Sequence, residues 1–180
     1  CKQFYIVPAG SSWSIEPQYL KPLIHSPKDI SGPVLSQTQP PKRFLLYCDE
    51  PRNKLAGTRV LHYIEWGESQ KIVPRGKDQE VLGFHNLPRV RRADRQPWYN
   101  LVPEVNRRGS WPVLLFRRIF KRYAVIWNQA DWIASENFIE LKPRPRVDLL
   151  SLLAFLNSSF AELIFQTHAH RYGGGVYNLN

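Results

Sequence analysis

A mixed α/β fold of the α+β kind, a small and largely antiparallel sheet with helices packed around it, is what this 180-residue sequence predicts. Three observations lead there. The runs Val113 to Phe116, Tyr123 to Trp127 and Asn137 to Leu141 are β-prone and follow one another over short connections, as antiparallel neighbours do. Two other stretches, Thr58 to Ser69 and Leu149 to His168, carry helical patterning with capping residues at their starts. With 43% hydrophobic and 13% aromatic residues the chain can bury a core, and its length suits a single domain over residues 1–180.

Each element has its own reason. Glu16 to Ile24 reads as a short helical segment interrupted at Pro22, and Ser31 to Lys42, rich in Pro, Ser and Gln, reads as a surface connection. Arg43 to Cys48 is an apolar and aromatic run closed by Asp49-Glu50-Pro51, the pattern of a buried strand. Leu61, Ile64 and Glu68 with Val60, Tyr63 and Gly67 fit a helix from Thr58 to Ser69. Residues 70–111 show little periodicity and many arginines, which predicts an irregular basic segment on the surface. Pro143 and Pro145 end the sheet. Asp148 caps a helix from Leu149 to Asn157, apolar at nearly every position and so expected to be buried. Ser159-Phe160-Ala161-Glu162 has the capping-box spacing that starts a second helix, halted near Gly173-Gly174-Gly175.

Charge narrows the function. The chain holds 25 Lys+Arg against 15 Asp+Glu, a formal charge of +10, and the window from Arg89 to Arg122 holds ten of the basic residues and only two acids, Asp94 and Glu104. Sixteen of the cations are Arg, whose planar fork suits phosphate oxygens and guanine edges, so a polyanion is the expected partner. A solvated basic surface or a docking face for an acidic partner is the alternative. Cys1 and Cys48 offer neither a disulfide framework nor paired metal-ligand spacing. His168 and His170, two apart, point to different sides of a helix, so no metal is expected. No apolar run approaches the roughly 18 residues of a membrane span, which predicts a cytoplasmic protein with no membrane partner. The chain contains no methionine, which predicts a piece of a longer polypeptide.

Four blocks of residues carry a family resemblance. Leu153 to Ile164 (LAFLNSSFAELI) followed by Tyr172-Gly173-Gly174-Gly175 resembles the C-terminal part of adenine-specific DNA methyltransferases of restriction-modification systems. Tyr19 to Ile24 with Ser26 to Ile30, then Gln96 to Leu101, then Phe116 to Ile119 with Trp127-Asn128 and Asn137-Phe138, are similar to the same region in order and rough spacing. The resemblance is to the TaqI-like specificity domain, the target-recognition module that follows the catalytic domain. It implies double-stranded DNA as partner, together with an N-terminal methyltransferase domain of the same chain. The sequence shows no Asn/Asp-Pro-Pro-aromatic loop, its only Pro-Pro pair being Pro40-Pro41, and no glycine-rich turn between strand and helix. The resemblance therefore implies a fragment that binds DNA without methylating it and holds no cofactor, S-adenosylmethionine belonging to the parent enzyme. A basic module that docks onto protein or RNA without reading a site is the competing expectation.

The candidate DNA-binding residues are Arg89, Arg91, Arg92 and Arg95 in the basic stretch, Trp98 and Tyr99 beside it, Arg117, Arg118, Lys121 and Arg122 after the first sheet strand, and Arg171 with Tyr172 at the glycine run. Trp98-Tyr99 reads either as an anchor pinning the basic loop to the core or as a base-stacking wedge. Alternation after a strand sends only one of Arg117 and Arg118 outward. Asn157, Ser158 and Ser159 read as caps between two helices. Gly173 to Gly175 reads either as a helix stop or as a place where backbone approaches a phosphate.

Overall fold

The structure, a computed structural model, describes residues 2–74, 78–107, 113–121 and 123–179. Its elements begin with α1 (Lys2–Tyr5), β1 (Ile6–Pro8), β2 (Leu20–Ile24), β3 (Val34–Leu35), β4 (Arg43–Leu46) and α2 (Arg59–Ser69). There follow β5 (Lys71–Ile72), β6 (Val81–Leu82), α3 (Pro88–Ala93), α4 (Val102–Asn106), β7 (Val113–Arg117), β8 (Ile119–Phe120) and β9 (Val125–Asn128). The chain ends with β10 (Ile133–Ala134), β11 (Phe138–Leu141), α5 (Leu149–Leu156), α6 (Ser159–His168), β12 (His170–Tyr172) and β13 (Val176–Asn178). This is an α+β fold of small, mostly antiparallel sheets. Residues 1–23 and 42–109 form one compact unit, and residues 24–41 and 110–180 form another.

In the first unit β4 lies between β1 and β2, antiparallel to both, with Leu45 opposite Ile6 on one side and Lys21 on the other. The helix expected over Glu16 to Ile24 is instead a 3₁₀ turn, Pro17–Tyr19, running into strand β2. Proline at 22 denies a helix its ladder, whereas β4 offers partners, among them the Tyr47 N–H donating to the Tyr19 carbonyl at 2.8 Å. Helix α2 starts where expected, with Thr58 as N-cap accepting from the Leu61 N–H. Glu16 supplies a second cap from 43 residues upstream: its carboxylate accepts from the Arg59 N–H at 2.7 Å and the Val60 N–H at 3.0 Å. An anion at a helix N-terminus meets the unpaired amides and the positive end of the dipole.

The core of this unit is a cluster of rings around Phe4, whose side chain is fully buried. Trp98, Tyr63, Tyr5 and Phe84 stand 4.6, 5.1, 5.2 and 5.5 Å from it, centroid to centroid. Phe4 reaches them because residue 67 of α2 is glycine: a Cβ there would sit 2.3 Å from Phe4 Cε2. Residues 70–74 and 78–107 hold more regular structure than expected. They hold the β5–β6 hairpin and the short helices α3 and α4, which are too brief for periodicity to reveal.

In the second unit β11, β7 and β9 are antiparallel neighbours, as expected, in the order β11-β7-β9-β3. Strand β3 is a correction to the surface reading of Ser31 to Lys42, for it pairs parallel to β9 and its Leu35 is fully buried. Alternation sends Leu115 and Ile126 to one face, with Ile24, Leu35, Trp132 and Phe138, and Leu114, Phe116 and Val125 to the other, with Leu153 and Leu156 of α5. Both faces are covered, which is why these strands read as unbroken apolar runs. Asn157 fastens α5 to the sheet like an extra strand, accepting from the Val125 N–H and donating to the Val125 carbonyl, each at 3.0 Å.

Helix α5 has its expected N-cap, Asp148 accepting from the amides of Leu150 and Ser151. It is not buried all round: Leu150 is 61% and Phe155 52% exposed, because a helix on a sheet face turns only one side inward. The cap of α6 is Ser158, one residue before the expected box, with its hydroxyl accepting from the Ala161 N–H. Gly173 to Gly175 do not stop a helix. α6 ends at His168, and the glycines form the turn of the β12–β13 hairpin, Gly174 and Gly175 at φ of 74° and 72°. That hairpin joins β8 in a sheet of order β12-β13-β8. No single helix among the described residues is long and apolar enough to cross a membrane, and α5 with α6 passes that test only as a pair bent by 64°.

The Phe4–Gly67 contact has a measurable consequence. Alanine in a helix interior normally gains up to about 1 kcal/mol over glycine, but overpacking a core costs about 1–3 kcal/mol. Gly67→Ala is therefore expected to lower the urea midpoint of unfolding; a raised midpoint would mean that the Phe4 ring yields freely.

Candidate nucleic-acid interface

Helix α3 displays the arginines of the basic stretch. Pro88 opens it, its missing N–H costing nothing in the first turn, and Asp94 closes it in the left-handed conformation at φ of 46°. Val90 is buried, 2% exposed, and so sets the rotation of the helix. At about 100° per residue, with Val90 inward, Arg92 lies nearly opposite it and Arg89 and Arg91 lie on the two flanks. All three are exposed. The side chains of Arg91 and Arg92 are engaged by no hydrogen bond or ion pair among the described residues.

Arg95 differs from its neighbours. Its Nε donates to Glu104 Oε1 at 2.6 Å and its guanidinium lies 6.0 Å from the Tyr5 ring centre, so it is half-buried and joins the loop to α4. Burial acts to raise the Glu104 pKa, but the hydrogen bond and charge of Arg95 outweigh it and hold the carboxyl below its usual range. Burial pushes the Tyr5 phenol up to about 12 despite Arg95, and its hydroxyl donates to the Trp98 carbonyl at 3.0 Å.

Trp98 and Tyr99 take the anchor position of the two open readings. The Trp98 ring packs on Phe4 and its Nε1 donates to Glu68 Oε1 at 3.0 Å. The other oxygen of Glu68 accepts from Arg52 at 2.6 Å. Tyr99 is 2% exposed and its hydroxyl donates to the Glu50 carbonyl at 2.8 Å, a site from which its ring reaches no duplex.

The remaining candidates belong to the second unit. Arg118 is exposed and Arg117 half-exposed, with the Arg118 Nε donating to the Glu136 carbonyl at 3.2 Å. Lys121 is exposed; Arg122 lies outside the described residues, as does Arg108 of the basic window. Arg171 and Tyr172, some fifty residues later, join this group through the sheet β12-β13-β8, since Tyr177 lies opposite both Arg171 and Phe120. Sequence reading missed that juxtaposition, because nothing local to β8 or β12 names β13 as their shared neighbour. His170, beside Arg171 and exposed, was missed with it.

Among the described residues no group of three or more His, Cys, Asp or Glu is placed to hold a metal ion; His168 Nδ1 lies 2.8 Å from the Ile164 carbonyl. No known family model matches the chain, and no curated protein matches it significantly.

The two kinds of arginine separate on mutation. Arg95→Ala is expected to cost roughly 0.5–1 kcal/mol, the range for a partly exposed pair, and Arg91→Ala to change stability by less than about 0.5 kcal/mol. The Glu104 pKa is depressed in the folded state, so its contribution exists above the ordinary Glu range and is lost as pH falls through the lowered value. Urea unfolding across that range is expected to show the Arg95→Ala deficit shrinking in acid; a deficit independent of pH would assign it to packing.

Proposed function

We propose that this chain is the target-recognition domain of an adenine-specific DNA methyltransferase, binding duplex DNA and reading its sequence without carrying out the transfer. In this reading the catalytic steps and S-adenosylmethionine belong to a methyltransferase domain N-terminal to it in a cytoplasmic parent enzyme. The observation that carries the DNA-binding half is the fan of Arg89, Arg91 and Arg92 on α3, turned outward by the burial of Val90. The methyltransferase half is supported by the four sequence blocks.

Physically, the task divides. Phosphate contacts provide affinity and register, while a few side chains at base edges choose the site. A guanidinium without a side-chain partner among the described residues, as on Arg91 and Arg92, can pair in a bidentate way with guanine O6 and N7, for about 1–3 kcal/mol of discrimination. Arg95 has spent its Nε on Glu104 and positions the loop instead. The parent must extrude its target adenine, and a domain that grips the duplex holds the DNA while that base leaves the stack.

Titrating a fluorescent duplex with the chain between about 50 and 200 mM salt tests the reading, since each phosphate contact contributes roughly −0.9 to the log–log slope. Steep salt dependence is expected, with Arg91→Ala or Arg92→Ala weakening binding. Saturable S-adenosylmethionine binding by calorimetry, or equal affinity for double-stranded RNA, would contradict it.

A further inference from the structure

We infer that the three-stranded sheet of the second unit is a separate phosphate-contacting surface, with the β12–β13 hairpin seated on the sugar-phosphate backbone of the duplex. This rests on the duplex-binding reading and adds to it an element remote in sequence from α3.

The sheet collects cations along two stretches of the chain. Strand β8 runs between Arg118 and Lys121, both exposed, and β12 carries His170 and Arg171, also exposed. Neither stretch that builds the sheet, 105–130 or 163–180, contains an Asp or Glu. With strands about 4.8 Å apart, β8 and β12 are separated by about 10 Å, the scale of a DNA groove about 12 Å wide.

Arg171 is held in place beforehand. Phe120 and Tyr177 stack at 5.5 Å and 20°, and the Arg171 guanidinium lies 5.5 Å over the Tyr177 ring. Its Nη2 donates to the Tyr177 hydroxyl at 3.0 Å, leaving other donors of the fork toward solvent. An ordered guanidinium loses less entropy on meeting a phosphate than a free one. The neighbouring Tyr172, 53% exposed, accepts from Asn178 Nδ2 at 3.2 Å and is likewise fixed at the surface.

The hairpin tip supplies the second observation. Gly174 and Gly175 have φ in the left-handed region, where glycine is favoured. Gly173 does not, and a Cβ built on it meets nothing within 4 Å. Among the described residues, neither a left-handed φ nor crowding by a residue beyond its chain neighbours accounts for glycine at 173. A bare backbone next to Arg171 and Tyr172 is what close approach of a phosphodiester requires.

The test is duplex binding by the full chain, followed by fluorescence anisotropy against salt, with urea unfolding on each variant. Arg171→Ala is expected to make the log–log slope shallower by about one unit, and Arg171→Lys to retain it, because a phosphate accepts a point charge. Gly173→Val, which changes no charge and has room for its side chain, is expected to weaken binding about tenfold with an unchanged urea midpoint, because it separates the backbone from its phosphate. If both Arg171→Ala and Gly173→Val bind like the wild type while Arg91→Ala weakens binding, the hairpin does not touch DNA and the duplex-binding reading stands alone. A Gly173→Val midpoint that falls together with affinity would also overturn the inference, by making the glycine structural. Wild-type chain without salt-dependent duplex binding would overturn the underlying reading itself.

Discussion

A guanidinium must end in water or against a carboxylate, and between Arg89 and Arg122 this chain has ten cations and two acids to place them with. Glu104 takes Arg95. The other basic side chains described in that window are left at or near the surface, and this limits which side of each short element can be buried. In α3 the inward residue is Val90, and in β8 it is Phe120. The basic surface is thus a consequence of where the few apolar side chains of these elements go.

Short elements need external support to hold such side chains in place. In the first unit the support is aromatic, with Phe4 admitted by Gly67, Trp98 set on Phe4, and both oxygens of Glu68 occupied by Trp98 and Arg52. In the second it is amide pairing. Asn157 binds the main chain of Val125, and Asn128 closes its turn through the Trp132 carbonyl at 2.7 Å and N–H at 3.1 Å. Both devices set a polar surface on a rigid scaffold, the arrangement in which recognition residues collect.

Elements long enough to show a period were legible in the sequence. Helix α2 with its Thr58 cap, the trio β7, β9 and β11, and the Asp148 cap of α5 stand where hydrophobic spacing and capping chemistry put them. Strand β4 lies inside the predicted apolar run, but β3, α3 and the β12–β13 hairpin were not legible. β3 exists because β9 offers it an edge, α3 hides among arginines, and a glycine turn has the same composition whether it stops a helix or joins two strands. At the candidate site the excess charge was legible, but its distribution was not. That Arg95 is engaged depends on Glu104 nine residues away, and that Arg171 shares a sheet with β8 depends on β13.

What separates a reader of DNA from a merely basic surface is choice among sequences. Selection from a randomised duplex pool, using the full chain at near-physiological salt, tests that choice most directly. The account expects one short motif to be enriched over successive rounds, and the enrichment at one of its positions to relax when Arg91 or Arg92 is changed to Ala. A pool that binds but stays random through every round would contradict it, leaving a polyanion-binding surface without a site.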